Sequence, residues 1–266
     1  SLDLAVKLGL LNKNVAKQVG NVKKQKKKID FWTQKEFEKV ISTFDISDYY
    51  EHYTFIIIWL LFMTGLRLGE AQALEWTDIN FEDKTLTVSK SMYYKSANEF
   101  YVTEPKTRAG NRTIALDDVT ISYLAEWKSV QGRNVVSKYV LSYNGLPTNK
   151  STTKHIIERH SKLAGVHTIK THALRHSHAS LLISLGENAI VVRDRLGHED
   201  VETTLGTYGH LYPNTNIEVA KKLNNLISVK KDDTITRNFI SNQFVKNRQS
   251  GCNNISLDCE EKEWDS

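Results

Sequence analysis

Apolar residues at positions 4, 5, 8 and 11 set a helical period over residues 4–11, and a lysine-dense stretch then interrupts it. Thr33-Gln34-Lys35-Glu36 has the residues of a capping box, whose hydroxyl and carboxylate satisfy free amides at a helix start, so a helix is expected to about Phe44. Residues 50–64 are apolar on nearly every face, which predicts a buried helix that Gly65 ends, with a helix resuming over 66–75. From Ile79 the period shortens to two. Leu86 and Val88 alternate with Thr85 and Thr87, and short runs at 101–103 and 112–116 follow across turn-rich stretches, which predicts a small antiparallel three-stranded sheet. Asp117 or Asp118 caps a helix to about Val130. Further helices are expected near 150–164, 172–185, 189–196, 201–208 and 215–227. The fold class is therefore α+β, mainly helical, with the small sheet packed on a helical core.

Beyond Ser228 the periodicity fades. The last sixteen residues carry five acids and one lysine, which predicts a flexible acidic tail. No internal repeat is visible. Residues 21–28 hold five lysines in eight, a block that repels itself and reads as an extended linker. It serves either as a solvated tether or as a strap on DNA phosphates.

The net charge of +5 and pI near 9.0 are compatible with a polyanionic partner without establishing one. The two cysteines, Cys252 and Cys259, make no disulfide framework, and a reducing cytosol is the simpler inference. The longest apolar run, 55–63, falls short of the ~20 residues of a membrane span. The first residues lack the basic-then-apolar order of a signal sequence. A soluble, cytoplasmic protein is expected, with no membrane partner.

Three segments could carry chemistry. In Thr171-His172-Ala173-Leu174-Arg175-His176-Ser177-His178 a helix would set His172 and Arg175 on one face. A guanidinium fork beside an imidazole suits a phosphate; a surface helix rich in histidine is the plainer alternative. His172 and His176 also have the i, i+4 spacing of a zinc helix, but position 173 is alanine rather than the required glutamate, and Arg175 would face the dication. No metal or cofactor is expected. The second segment is Leu196-Gly197-His198 with Thr203 to Tyr208, where a tyrosine would ordinarily be packing. The third is Thr64-Gly65-Leu66-Arg67-Leu68-Gly69-Glu70. There a cation directly follows a buried helix, so Glu70 neutralises Arg67, or Arg67 awaits an anion, or both.

TGLRLGEAQAL (64–74), HALRHSHA (172–179) and LGHEDVETTLGTY (196–208) resemble, in order, the three signature boxes of the tyrosine recombinases of the phage integrase (lambda-integrase-like) family. The resemblance covers roughly 31–227. Glu104-Pro105-Lys106-Thr107 is similar to the family's hairpin segment with the catalytic lysine, and Lys90 and Lys95 lie in the same sheet region. Gly206, two residues before Tyr208, departs from the acidic or polar residue frequent there. His176 and His178 enrich the second box beyond its usual pattern.

The resemblance implies a catalytic domain over 31–228, a remnant of a core-binding domain (its last helix) over 1–20, a basic linker over 21–30 and a tail over 229–266. It implies catalytic roles for Arg67, Lys106, His172, Arg175, His198 and Tyr208, with Glu70 buttressing Arg67 or His172. Tyr208 would attack a phosphodiester to give a 3′-phosphotyrosine, and the freed 5′ hydroxyl would attack the partner strand. Implied partners are double-stranded attachment-site DNA, a homotetramer on that DNA, an excisionase and a host DNA-bending protein. A nucleoid location follows when DNA is bound. A type IB-like topoisomerase, which rejoins the strand it cut, and a non-enzymatic DNA-binding module are the competing readings.

Overall fold

The computed structural model describes residues 2–19, 29–96, 99–105, 107–212 and 216–224. Two short helices come first, α1 (Leu2–Lys7) and α2 (Val15–Val19). Asn14 and Lys17 both hold Asp3, and Leu2, Leu4, Leu8, Leu10 and Leu11 are exposed. The helix expected to run to 11 stops at Lys7, where Gly9 takes a left-handed turn at φ 70°. Residues 21–28 of the basic linker, Lys106 and the tail from 225 onward lie outside the described residues.

The helical core forms around α4 (Tyr49–Thr64). Its uniform apolarity is explained by neighbours on every side: α3 (Gln34–Ile41), α6 (Asp118–Asn134), α7 (Lys150–Ala164) and α8 (Ala173–Ser184). The capping box expected at Thr33 is present, with Glu36 Oε2 accepting from the Thr33 amide at 2.8 Å. It aims α3 so that Phe37 stacks on Phe62 of α4 at 3.5 Å between ring centres. Trp32, fully buried, seals this layer: its amide donates to Ser177 Oγ and its indole to the carbonyl of His167.

The β-region differs in one respect from the three strands expected. A three-stranded antiparallel sheet has the order β1 (Ile79–Asn80), β2 (Thr85–Val88), β5 (Arg112–Ala115). The run at 101–103 belongs instead to a separate hairpin, β3 (Ser91–Ser96) with β4 (Glu99–Thr103). Met92, Tyr94 and Phe100 give this hairpin a small core of its own with Ala73 and Tyr139. The hairpin sits on α5 (Leu68–Ala73) at Gly69, where a Cβ would lie 2.6 Å from Ser91 Oγ. Alternation alone reports which face a residue takes, not which strand it pairs with.

Two further helices, α9 (Ala189–Leu196) and α10 (Val201–Tyr208), pack on α8 and on each other. Contacts divide the chain into Ser1–Tyr212 and Pro213–Ser266, and in the second part α11 (Asn216–Leu223) is described. No described helix is long and apolar enough to cross a membrane.

Candidate active site

Arg67 follows the C-cap of α4 and is itself the N-cap residue of α5. Gly65 makes the turn possible. Its φ of 65° suits glycine, and a Cβ there would meet His178 and Leu196 side chains at 2.7 Å. One turn into α5, Glu70 accepts two bonds from Arg67, at 2.9 Å from its amide and 2.8 Å from its guanidinium. Its other partner is Arg112 of β5, whose Nη2 lies 2.9 Å from Glu70 Oε2. Burial on its own would raise the Glu70 carboxyl. Arg112 and Arg67 outweigh it and hold the group below the usual carboxylate range.

Arg175, on the first turn of α8, is 3% exposed, and among the described residues no carboxylate is bonded to it. It donates to the Gly65 carbonyl at 2.7 Å and to the Leu196 carbonyl at 2.6 Å. Arg67 donates in the same way to the carbonyl of Gly197 at 3.3 Å. These acceptors are the C-terminal ends of α4 and α9, where the helix dipole concentrates negative charge. Arg175 is thus held by partial charges, and Arg67 by one such carbonyl together with the Glu70 carboxylate. Burial, and then repulsion from Arg67, lowers the Arg175 pKa to about 9, still charged at neutral pH. Three guanidiniums, Arg67, Arg112 and Arg175, surround the single Glu70 carboxylate, so the site carries an excess of positive charge suited to an oxyanion.

Three imidazoles join them. His172 is the N-cap residue of α8 and is exposed; desolvation and then Arg175 and Arg67 lower its pKa. His198, in the turn between α9 and α10, meets Thr204 Oγ1 at 2.8 Å, and burial followed by Arg175 pushes it down to about 4. His176 stands one turn beyond His172, with the two rings edge to face at 4.9 Å.

Tyr208 ends α10 and is 1% exposed, packed among Ala179, Ile183, Val192 and Leu196. Its hydroxyl lies 2.7 Å from His176 Nδ1. Burial pushes its pKa up to about 12, while Arg175 and Arg67 pull the other way. The structure therefore brings Arg67, Glu70, His172, Arg175, His198 and Tyr208 into one cluster, from four separate stretches of chain.

Two members were missed in the sequence. His176 lies outside the box pattern that singles out His172, although its i+4 spacing sets it on the same face. Arg112 falls in the expected strand 112–116, where a cation on a half-buried strand is the available signal. Of the lysines weighed beside Lys106, Lys90 is bound to Glu75 at 2.9 Å and Asp78 at 3.1 Å, and Lys95 is bound to Glu99 at 3.0 Å. A groove of about 850 Å³ beside His172 is lined by Lys95, Lys150, Lys154 and Lys170, with Glu158 paired to Lys154. Among the described residues, no group of three or more histidines, cysteines or acids could hold a metal ion.

Solved tyrosine recombinases share this fold. The Tn1549 transposon integrase in complex with a circular intermediate DNA matches with a TM-score of 0.64 at 22% identity, over 83% of this chain and 73% of that one. The XerH recombinase bound to its difH substrate matches with a TM-score of 0.57 at 24% identity, over 76% of this chain and 56% of that one. The sequence pattern of the phage integrase family matches residues 30–215, and the chain belongs to that family. It is 35% identical to the ICEBs1 integrase of Bacillus subtilis (strain 168), over 85% of this chain and 62% of that protein. It is 29% identical to a XerC-like tyrosine recombinase of Caldanaerobacter subterraneus, over 63% of this chain and 48% of that protein. The chain thus spans about half to three fifths of the curated relatives it matches.

Proposed function

We propose that this chain, through residues 31–228, is the catalytic part of a site-specific DNA recombinase of a phage or other mobile element. It cuts and rejoins strands through a covalent 3′-phosphotyrosine at Tyr208. The observation that carries this reading is the Tyr208 hydroxyl, held in one cluster with the Arg67 and Arg175 guanidiniums. Family membership and the names of the relatives, an integrase among them, support it.

A tyrosine oxygen is both nucleophile and leaving group, so the covalent link preserves the energy of the broken bond and no ATP is needed. Arg67 and Arg175 bind the non-bridging oxygens and offset charge on the pentacoordinate transition state, where one lost donor typically costs ~3 kcal/mol. His198 donates to a phosphate oxygen and His172 assists removal of the tyrosine proton. Glu70 fixes Arg67. Lys106 protonates the departing 5′ oxygen, a role for which Lys90 and Lys95 are poorly suited while bound to acids.

The lysine-lined groove beside His172 gives a DNA backbone a positively charged path to the cluster. Attachment-site duplexes, a homotetramer on them, and excisionase and DNA-bending partners in the cytoplasm complete the reading. The test is a nicked suicide duplex carrying the candidate attachment site. Wild-type protein is expected to trap a covalent adduct and Tyr208→Phe none; an adduct in the variant overturns the assignment.

A further inference from the structure

Among the described residues, the side chain hydrogen-bonded to the Tyr208 hydroxyl is that of His176. We propose that His176 is the residue that orients the Tyr208 hydroxyl and takes its proton during strand cleavage, with His172 left to face the phosphate. This inference rests on the proposed function and, within it, moves the taking of the tyrosine proton from His172 to His176.

Three observations lead to it. The first is contact: Nδ1 of His176 lies 2.7 Å from the oxygen, within the range needed for proton transfer. His172 packs edge to face on the His176 ring, which in turn meets the Tyr208 ring edge to face. The second is fixation. Both partners sit on ordered helices, His176 inside α8 and Tyr208 at the end of α10, with Ala179, Ile183 and Leu196 packed around the tyrosine. The third is exposure. His172 opens onto the lysine-lined groove where a DNA backbone would run, whereas His176 is turned inward onto the tyrosine.

Among the described residues, the titratable groups facing His176 are His172 and Arg175 on its own helix and Tyr208 on α10. Burial, then His172 and Arg175, push its pKa down to about 4, so it is neutral at pH 7 and has a lone pair to offer. Tyr208 faces Arg175 and Arg67 as well. In the free protein the proton stays on the tyrosine, and the bond acts as a latch. An arriving phosphodiester brings negative charge into a site with positive charge in excess, which makes imidazolium easier to form.

The step balances. The Tyr208 oxygen forms a bond to phosphorus as its proton moves to His176 Nδ1, and the bond from phosphorus to the 5′ oxygen breaks. That oxygen leaves with a proton from the general acid assigned above to Lys106. On rejoining, the 5′ hydroxyl attacks, the tyrosine oxygen departs and His176 returns its proton.

The test compares single-turnover cleavage of the suicide duplex by wild type, His176→Ala, His176→Asn and His172→Ala between about pH 6.5 and 9.5. His176→Ala is expected to be about 100-fold slower near pH 7, with the deficit shrinking as pH rises and hydroxide replaces the base. The deficit should persist on a duplex with sulfur at the 5′ bridging position, because a thiolate leaves without an acid. His176→Asn keeps a polar atom near the Nδ1 position but cannot act as the base, so it should bind DNA normally and cleave slowly; it serves if the alanine variant fails to fold. Wild-type rates in both His176 variants, a deficit independent of pH, or rescue by the bridging sulfur would each overturn the inference. So would a nucleophile-side defect found in His172→Ala and absent from His176→Ala. An adduct in Tyr208→Phe would instead overturn the nucleophile itself, so the two failures are distinguishable.

Discussion

Arg112 and Glu70 form a buried ion pair, 2.9 Å apart and each less than a tenth exposed, that joins the last strand of the sheet to the turn carrying Arg67. Replacing Glu70 with alanine leaves Arg112 buried without its counter-charge. A loss of about 3–5 kcal/mol in unfolding free energy is expected from removing one partner of such a pair, measured by denaturant titration. A destabilisation no larger than that of an exposed pair such as Lys95–Glu99 would contradict this.

Arg175 reaches two carbonyls at once with a planar fork. Lysine has a single charged point and cannot satisfy both in the same directions. Arg175→Lys is therefore expected to lower strand cleavage by about 100- to 1000-fold, the scale of losing an oriented transition-state donor. Thermal melting should also fall, because one carbonyl is left without a partner. Unchanged cleavage with lowered melting would assign the residue to structure alone.

Acid sensitivity follows from the buried histidines. His160 stacks on Phe44, meets Thr43 Oγ1 through Nδ1 and faces Glu51 and Arg159, and burial pushes it down to about 4. His176 and His198 are pushed to the same value and His178 to about 3, each chiefly by burial. An unfolded histidine takes its proton near pH ~6.5, so between that value and about 4 protons favour the unfolded chain. Stability is expected to be complete above about pH 6.5 and to fall as pH drops, before Glu70 titrates. Melting temperature against pH reads this directly. His160→Asn should be less stable overall and show a shallower fall across that window.

Gly197 ends α9 with φ at 67°. A Cβ there would lie 2.7 Å from the carbonyl oxygen of Ala109 and 2.8 Å from Arg112 Nη1. The left-handed conformation costs an alanine roughly 1–2 kcal/mol, and the backbone contact adds to it. Gly197→Ala should lower both melting temperature and cleavage, since the Gly197 carbonyl holds Arg67. Gly165→Ala is the control: it also ends a helix at positive φ, but nothing lies within 4 Å of its Cβ.

The helices were legible because their signals are local. The Thr33 capping box, the apolar stretch before Gly65 and the glycine after Leu196 each act within a turn or two of chain. Arg67, Glu70, His172, Arg175, His198 and Tyr208 were legible from their box spacing, and the structure brings them together. Less legible was anything set by partners far along the chain. Arg112 meets Glu70, 42 residues away, and His176 meets Tyr208, 32 residues away. The pairing of β3 with β4 was hidden for a related reason. Strand alternation in 101–103 fits either partner, and the choice depends on the small core formed with Ala73 and Tyr139.

The carbonyl groups of Gly65, Leu196 and Gly197 hold the two guanidiniums, and this has a genetic consequence. A main-chain carbonyl survives every missense change at its own position, so drift cannot delete these contacts one side chain at a time. What drift can do is bend the chain that presents them. The vulnerable positions are then the two left-handed glycines, where any new side chain displaces its support. A random mutational scan should accordingly find Leu196 open to apolar exchange while positions 65 and 197 tolerate almost nothing.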